Sequence, residues 1–309
     1  MITITRAPPY LTVQDTGRKH SRSSGVPRGG AMDVFALQAL NAIVGNPLDS
    51  AALEWALGGG TIRFRGDCAF AIGGARARAT LAGGSISSFT TCHAQAGDVL
   101  TVEQLTAGRF LYIAFGGGID VPEILGSRST YLPGRFGGFN GRLIARNDAL
   151  PLGLPPASSP SEGFTCPPEL LPRYESAAVR ITRGPHADLF DEAAWQMLTE
   201  TEFTVSTASD RTGYKLKGSA LNDSAGNLAS DASCQGAIQI PGDGTPIVLM
   251  ADAPTVGGYP KIAVVGEADL PILAQRSPGE ILRFQLVTIE QSQRALKRRA
   301  EAGSAAGQK

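Results

Sequence analysis

The feature that most constrains the fold is a dense run of short strand patterns in the first half of the chain. Glycine pairs such as Gly73-Gly74 and Gly83-Gly84 separate several of these patterns, which cover residues 61–64, 68–72, 78–81, 86–89, 99–103 and 109–115. A repeating βαβ fold would place a helix between successive strands, whereas one clear helical pattern, over residues 31–44, precedes this run. The 38 glycines and 20 prolines of the chain suit the many tight turns of such a fold. The chain is therefore predicted to be mainly β with a few helices, as a barrel or sandwich.

The second half repeats this style after a break. Residues 151–175 are rich in proline and serine and show no periodicity, which indicates a linker or long connection. Helices are then predicted over 187–198 and 287–302, and strands over 179–182, 202–206, 237–240, 246–250, 262–265 and 281–286. At roughly 100–200 residues per domain, we expect two domains, 1–150 and 176–302, and a flexible tail at 303–309.

Charge and composition exclude several classes of function. Lys+Arg and Asp+Glu are both 28, whereas a general nucleic-acid binder carries a basic excess. There is no apolar run long enough to span a bilayer and no signal-peptide pattern, so we expect a cytoplasmic protein without membrane contact. Four isolated cysteines and three histidines disfavour a structural zinc site, and we expect no metal ligands. The sequence also lacks a P-loop, a GxSxG elbow and an HExxH motif.

Polar residues concentrate in four glycine-rich segments, at 14–33, 116–130, 209–214 and 236–261. Glycine lets backbone N–H groups approach an anion, arginine offers a bidentate fork, and Asp or Gln can orient an amide or a water. Each segment taken alone fits a purely structural interpretation, in which Asp–Arg pairs tie loops together. Their concentration within a fold of otherwise short loops favours a binding or catalytic site.

Long motifs in these segments resemble one known family. They are Gln14-Asp-Thr-Gly-Arg18, Gly25-Val-Pro-Arg-Gly-Gly-Ala-Met-Asp33, Leu125-Gly-Ser-Arg-Ser-Thr130, Gly236-Ala-Ile-Gln239 and Gly257-Gly-Tyr-Pro-Lys-Ile262. In this order they resemble the biotin-dependent carboxyltransferase-like family, also called the allophanate hydrolase subunit 2 or KipA family, which includes the C-type subunit of bacterial ATP-dependent 5-oxoprolinase. The resemblance covers nearly the whole chain.

The resemblance implies two cyclophilin-like β-barrel domains and a shared active site. The implied partners are a KipI-like subunit (allophanate hydrolase subunit 1, the B-type subunit of 5-oxoprolinase) and a LamB/YcsF-type subunit (the A-type subunit). The implied reaction converts 5-oxo-L-proline, ATP and water to L-glutamate, ADP and phosphate, with ATP and Mg bound at a site that the partners complete. We expect such a hydrolase subunit to be inactive alone.

Two alternatives stay open. The first is a carboxyltransferase component that moves a carboxyl group to urea or another amide from carboxybiotin carried by another polypeptide. The 309 residues contain no Met-Lys-Met biotin acceptor and have no room for an ATP-grasp domain, so we do not expect a self-contained carboxylase. The second is a non-catalytic regulatory module of the KipI/KipA type. Departures from the family pattern at His20, Ser233-Cys234-Gln235 and Ala253-Pro254 leave the substrate open.

Residue chemistry and motif position predict the site residues. An arginine would bind the carboxylate of a lactam, while Asp or Gln would hold its amide. The predicted catalytic or orienting residues are Asp15, Asp33, Gln239 and Tyr259, and Lys261 is a predicted phosphate contact. The predicted substrate-binding residues are Arg18, Arg128, Arg211, Gly117, Gly118, Ser127, Thr130, Gly257 and Gly258.

Overall fold

The structure is a computed structural model that describes residues 1–157, 161–221 and 228–306. These residues form two compact units. Met1–Lys19, Gly29–Pro172 and, among the described residues at the C-terminus, residues 301–306 build the first unit, and His20–Arg28 and Arg173–Ala300 build the second. The long segment of the first unit thus ends at Pro172, inside the stretch 151–175 that we predict as a connection. No sequence signal had indicated that His20–Arg28 belongs with the second half of the chain, and the predicted domain boundaries stay a prediction.

Up to Pro172, the described residues of the first unit contain one α-helix and nine strands. The helix is α1 (Val34–Ile43), and a short 3-10 helix covers Pro168–Leu170. The strands are β1 (Ile2–Arg6), β2 (Tyr10–Gln14), β3 (Ala52–Ala56), β4 (Gly60–Phe64), β5 (Cys68–Leu81), β6 (Gly84–Ser85), β7 (Cys92–Ala94), β8 (Val99–Phe115) and β9 (Ala149–Leu150).

These nine strands form one curled sheet in the described part of the chain, ordered β2-β3-β8-β4-β1-β9, with β5 beside β8 and carrying β6 and β7. Strands β5 and β8 pair antiparallel from Phe70↔Phe115 to Leu81↔Leu100, with register shifts between Gly74 and Ala79. Such bulges bend a strand pair and increase its twist. The sequence predicted each of these strands as two, because the glycine and the polar residues at the bend have the composition of a turn.

The core of the first unit lies inside this curl. Trp55, Phe64, Phe70 and Phe115 are fully buried there, and each such side chain contributes about 1.5–3 kcal/mol relative to exposure. Helix α1 packs against β5 and β8. The core therefore fixes the strand ends from which the polar loops leave.

The second unit is a closed barrel. Among the described residues its seven strands close in the order β10-β17-β14-β15-β12-β11-β18, because β10 pairs parallel with β18. These strands are β10 (Ala178–Arg183), β11 (Phe203–Val205), β12 (Gly213–Lys217), β14 (Ala237–Gln239), β15 (Ile247–Leu249), β17 (Lys261–Val265) and β18 (Ile281–Leu286). A separate two-stranded ribbon pairs β13 (Asp231–Ala232) with β16 (Val256–Gly257).

Three α-helices accompany the barrel in the described part of the second unit. They are α2 (Glu192–Glu200), α3 (Leu270–Ala274) and α4 (Ile289–Ala306), and further 3-10 turns cover Arg22–Ser24, Ala187–Leu189 and Glu267–Asp269. The helix predicted over 187–198 is therefore split, because Asp191 caps α2 and the chain is extended at Phe190. Helix α4 continues into the predicted tail, of which residues 307–309 lie outside the described residues.

The predicted fold class is confirmed. The chain is mainly β in two barrel-type units, of which the second closes fully and the first forms a curled half-barrel. No helix in the described ranges is both long enough and apolar enough to cross a membrane.

Candidate functional site

The carboxylate of Asp15 organises the polar loops of the first unit. It accepts hydrogen bonds from the Gly17 N–H at 2.8 Å, the Ser127 hydroxyl at 2.7 Å and the Arg128 N–H at 2.6 Å. The Ser129 hydroxyl donates a fourth. Three of these donors reach Oδ1 and one reaches Oδ2, and Asp15 also lines a cavity of about 270 Å³. The geometry therefore gives Asp15 a positioning role, in which it joins the loop after β2 to residues 125–130.

Arg18 and Thr130 support the same pair of loops. The buried Arg18 guanidinium donates to the Ser129 carbonyl and lies 4.7 Å from the centre of the Phe136 ring, in cation–π contact. The N–H and hydroxyl of Thr130 both donate to the Val13 carbonyl, at 2.9 and 3.0 Å. Arg18 and Thr130 thus connect the end of β2 and the loop after it to residues 125–130.

Arg128 stands between two neighbouring cavities of about 270 and 310 Å³, which share Arg128 and Ser50 as lining residues. Its Nε donates to the Val121 carbonyl at 2.9 Å, and its Nη atoms lie 2.5 Å from Glu123 and 3.5 Å from Asp120. The side chain is 34% exposed. The predicted anion contact is therefore open to solvent, and two carboxylates already face it.

The predicted glycines Gly117 and Gly118 line the larger of these cavities. Both have positive φ, +88° and +69°, in the region that favours glycine. The Gly117 N–H donates to the Asn46 side chain and the Gly118 N–H to the Phe115 carbonyl, each at 2.8 Å. Their amides thus shape the turn after β8.

Asp33 belongs to a different, fully buried network. Its side chain accepts from the Ala36 N–H at 2.9 Å and caps α1, while its own N–H donates to the Tyr112 hydroxyl at 2.8 Å. That hydroxyl donates to Glu54 at 2.7 Å. Burial, followed by the charges of Glu54 and Asp33, raises the pKa of Tyr112 well above its ordinary value. The sequence had not indicated Tyr112, which lies inside an apolar strand.

In the second unit, Arg211 is held by a buried carboxylate. Its Nε and Nη2 atoms donate to the two oxygens of Asp252 at 2.8 and 2.9 Å. Both side chains are less than a tenth exposed. This bidentate geometry is the one that an arginine would offer to a ligand carboxylate, and here a protein carboxylate takes it.

Five residues of the second unit form what we call the Lys261 cluster: Asp231, Ser233, Gln239, Gly257 and Lys261. Lys261 and Gln239 are paired across β17 and β14, and Asp231 and Gly257 across β13 and β16. The Lys261 side chain is 3% exposed, and its Nζ lies 3.4 Å from Asp231 Oδ2. The pairing of β14 with β17 has a register shift between Ile238 and Gln239, and such a bulge changes the direction of nearby side chains.

Two polar atoms of this cluster are buried without a hydrogen-bond partner among the described residues. They are Nε2 of Gln239 and Oγ of Ser233, on residues that are 5% and 3% exposed. Leaving such a group unpaired typically costs about 1–3 kcal/mol. Buried polar atoms of this kind are satisfied by an ordered water, an ion or a ligand, or mark a functional group.

His186 and a backbone N–H of the ribbon contact the Lys261 and Asp231 pair. His186 Nδ1 accepts from the Lys261 N–H at 3.1 Å, and its Nε2 lies 4.0 Å from Asp231 Oδ2. The Ala232 N–H donates to Asp231 Oδ1 at 2.6 Å. This hydrogen bond, followed by Lys261, holds the pKa of Asp231 below its ordinary value. Sequence reasoning missed both His186 and Asp231, because neither lies in the motifs that we considered.

The predicted site residues belong to both units and are described unit by unit. The loops of the first unit hold Asp15, Arg18, Gly117, Gly118, Ser127, Arg128 and Thr130. The Lys261 cluster contains the predicted Gln239, Gly257 and Lys261. The neighbouring Gly258 carbonyl accepts from the Leu228 N–H at 3.0 Å, and Tyr259 is 42% exposed. Asp33 and Arg211 lie in buried networks of their own, and the functional roles of all these residues stay predictions.

Comparison with known proteins places the chain among carboxyltransferase domains. Residues 24–286 match the family described as carboxyltransferase domain, subdomain A and B. The C-type subunit of 5-oxoprolinase from Escherichia coli K12 is 38% identical over 297 residues, which are 96% of this chain and 94% of that protein. The corresponding subunit of Haemophilus influenzae is 32% identical over 302 residues, 97% of this chain and 96% of that protein.

A solved structure shows the same fold within a longer protein. The Kluyveromyces lactis urea carboxylase superposes with a TM-score of 0.93 at 30% identity. The match covers 99% of this chain and 29% of that chain. This fold therefore occurs both in a chain of similar length and as a part of a larger carboxylase.

Proposed function

This chain belongs to the carboxyltransferase domain family, subdomain A and B, and from this membership we propose that it acts as the C-type subunit of an ATP-dependent 5-oxoprolinase. One observation carries the proposal. The match to the Escherichia coli protein extends over 96% of this chain and 94% of that protein at 38% identity. The similarity therefore covers nearly all of both proteins. The proposed reaction converts 5-oxo-L-proline, ATP and water to L-glutamate, ADP and phosphate in the cytoplasm, as an ATP-dependent amide hydrolysis.

The Lys261 cluster supports this chemistry. 5-Oxoproline is a planar lactam with a carboxylate, and a cation and amide N–H donors can bind such a carboxylate. Lys261 and Gln239 are a cation and an amide of this kind, and both are buried. We propose that ATP binds at a site completed by a KipI-like partner and a LamB/YcsF-type partner. The described residues contain no group of three or more His, Cys, Asp or Glu side chains suited to a metal ion, and the proposal assigns no metal ligand to this chain.

The test is reconstitution. The chain should be purified alone and after co-expression with its KipI-like and LamB/YcsF-type partners, and each preparation should be assayed for glutamate released from 5-oxoproline with and without ATP. We expect ATP-dependent release from the complex and none from the isolated chain. A complex that forms but releases no glutamate would contradict the proposed function. Release by the isolated chain at ordinary enzyme rates of about 1–10 per second would contradict the shared site.

The carboxyltransferase role is the second candidate. It is favoured by the superposition on the Kluyveromyces lactis urea carboxylase with a TM-score of 0.93. The distinguishing assay supplies carboxybiotin on a separate carrier polypeptide together with urea or 5-oxoproline, and measures loss of the carboxyl group from biotin. Carboxyl transfer without ATP would favour this role over the oxoprolinase.

A further inference from the structure

Gly257 lets the two-stranded ribbon approach two polar side chains of the Lys261 cluster closely. A methyl group on Gly257 would lie 2.9 Å from Nε2 of Gln239, which is too close for a carbon atom, and 3.3 Å from Oγ of Ser233. Both of these atoms are buried, and neither has a hydrogen-bond partner among the described residues. Two unsatisfied polar groups therefore converge beside the Gly257 backbone.

The polar groups beside Gly257 determine the chemistry of a ligand that could bind them. The Gln239 amide nitrogen and the Lys261 ammonium can only donate hydrogen bonds, and the Ser233 hydroxyl can donate one. A ligand that satisfies all three must present acceptors, and the cation favours a negative charge. A single lysine with Asp231 beside it at 3.4 Å suits a monoanion better than a polyphosphate, whose several charges call for several cations.

We propose that the Lys261 cluster is the subsite for the carboxylate of the lactam substrate, with Asp231 as the internal counter-ion that this carboxylate replaces. The proposal rests on the proposed function for the identity of the substrate. Asp231 is 54% exposed, whereas Lys261 is 3% exposed, so the aspartate can turn to solvent while the lysine stays in place. An incoming carboxylate then accepts from Lys261, Gln239 and Ser233 together.

The first experiment measures binding to the full-length chain, alone and in its complex with the partner proteins, by calorimetric titration. The probes are 5-oxoproline, 2-pyrrolidinone, which has the lactam but no carboxylate, and inorganic phosphate. We expect 5-oxoproline to bind, and 2-pyrrolidinone to bind about 10- to 150-fold more weakly, the range for losing one or more charge-assisted hydrogen bonds. Equal affinity for the two lactams, tighter binding of phosphate, or no binding of 5-oxoproline to either preparation would overturn the subsite.

Gly257→Ala tests this close approach. The added methyl would collide with Nε2 of Gln239 and displace the flexible end of that side chain, so we expect about tenfold or greater weakening of 5-oxoproline binding. The matched control is Gly242→Ala, because a methyl there would meet nothing within 4 Å. Ser233→Ala provides a second variant, with an expected weakening of about 10-fold that disappears for 2-pyrrolidinone. Unchanged affinity for 5-oxoproline in both Gly257→Ala and Ser233→Ala would overturn the proposal.

Asp231→Asn gives an effect of opposite sign. Removing the competing charge should tighten 5-oxoproline binding by about fivefold, whereas an ion pair that only holds the ribbon would leave the affinity unchanged or weaken it. These outcomes are separable from failure of the proposed function. If the complex is active and Gly257→Ala leaves its KM for 5-oxoproline unchanged, the subsite is wrong and the proposed function stands. If binding depends on the carboxylate but the complex releases no glutamate with ATP, the proposed reaction is wrong and the subsite stands.

Discussion

At the scale of single residues, the predicted site contains two kinds of polar side chain: those whose hydrogen-bonding groups have partners in the protein, and those with buried atoms that have none among the described residues. The Asp15 carboxylate has four donors, and Arg211 has a bidentate partner in Asp252. In contrast, Gln239 and Ser233 carry buried atoms without partners among the described residues. Asp15 and Arg211 therefore stabilise the loops, whereas Gln239 and Ser233 can form hydrogen bonds with a ligand.

Asp15→Asn tests the holding role. The amide removes the charge and places a donor opposite the hydroxyls and N–H groups that now donate to the carboxylate, so we expect a loss of about 1.5–3 kcal/mol in the free energy of unfolding. Urea denaturation measures it. Asp67→Asn is the matched control, because the exposed Asp67 accepts one N–H, from Ala96, and should change stability by less than about 0.5 kcal/mol. Equal effects of the two substitutions would contradict the holding role.

The pKa of Asp231 gives a second prediction at this scale. Because its folded-state pKa lies below the ordinary value, its contribution to stability is present above the unfolded pKa of about 4 and is lost as pH falls through the folded value. Wild type should therefore be more stable than Asp231→Asn at pH 6, and the difference should shrink below pH 4. Thermal melts of both proteins from pH 6 to pH 3 measure this. A difference that stays constant over that range would show that the charge of Asp231 is not involved.

At the scale of elements, the decisive features are the points where chain segments begin or bend. The bulges between Gly74 and Ala79 curl β5 and β8, and the ribbon of β13 and β16 places Gly257 opposite Asp231. Asp33 begins α1 as its N-cap. Asp33, which the sequence predicts as a catalytic residue, therefore also has a structural role at the start of a helix. Substitutions can distinguish these two roles.

Asp33→Asn and Asp33→Ala form that test. Asparagine is about as good an N-cap as aspartate, whereas alanine costs about 0.5–2 kcal/mol. If Asp33 serves only as a cap, the Asn variant should keep both its melting temperature and the activity of the reconstituted complex, and the Ala variant should lose stability. Loss of activity in a stable Asn variant would instead support the predicted catalytic role.

At the scale of the whole molecule, the two units are connected through the chain more than once. The segment His20–Arg28 belongs to the second unit, although it is flanked on both sides by residues of the first. Within the second unit, Arg22 Nη2 lies 3.5 Å from the Thr255 carbonyl. A cut near residue 173 therefore leaves the N-terminal fragment with a segment that folds into the second unit.

Limited trypsin digestion tests the predicted boundary. Arg173 is exposed and follows Pro172, where the segment Gly29–Pro172 of the first unit ends, so we expect early cleavage there, within the predicted connection 151–175. The two fragments should co-elute on size exclusion until a denaturant is added, because His20–Arg28 stays in the second unit. Early cleavage inside either unit would contradict the boundary, and separation of the fragments in native buffer would contradict the placement of His20–Arg28.

Local patterns in the chain were enough to predict the mainly β class, the family and most of the strands, because alternation, glycine turns and motif order are properties of neighbouring residues. They also indicated Gln239 and Lys261, which lie in recognisable motifs. The folded chain was needed to show which charged residues already have partners, that Asp231 and His186 lie beside Lys261, and that His20–Arg28 belongs with the second unit. These facts depend on which strands pair across long sequence separations, and Gln239 comes opposite Lys261 through a register shift in the pairing of β14 with β17, which local sequence patterns do not specify.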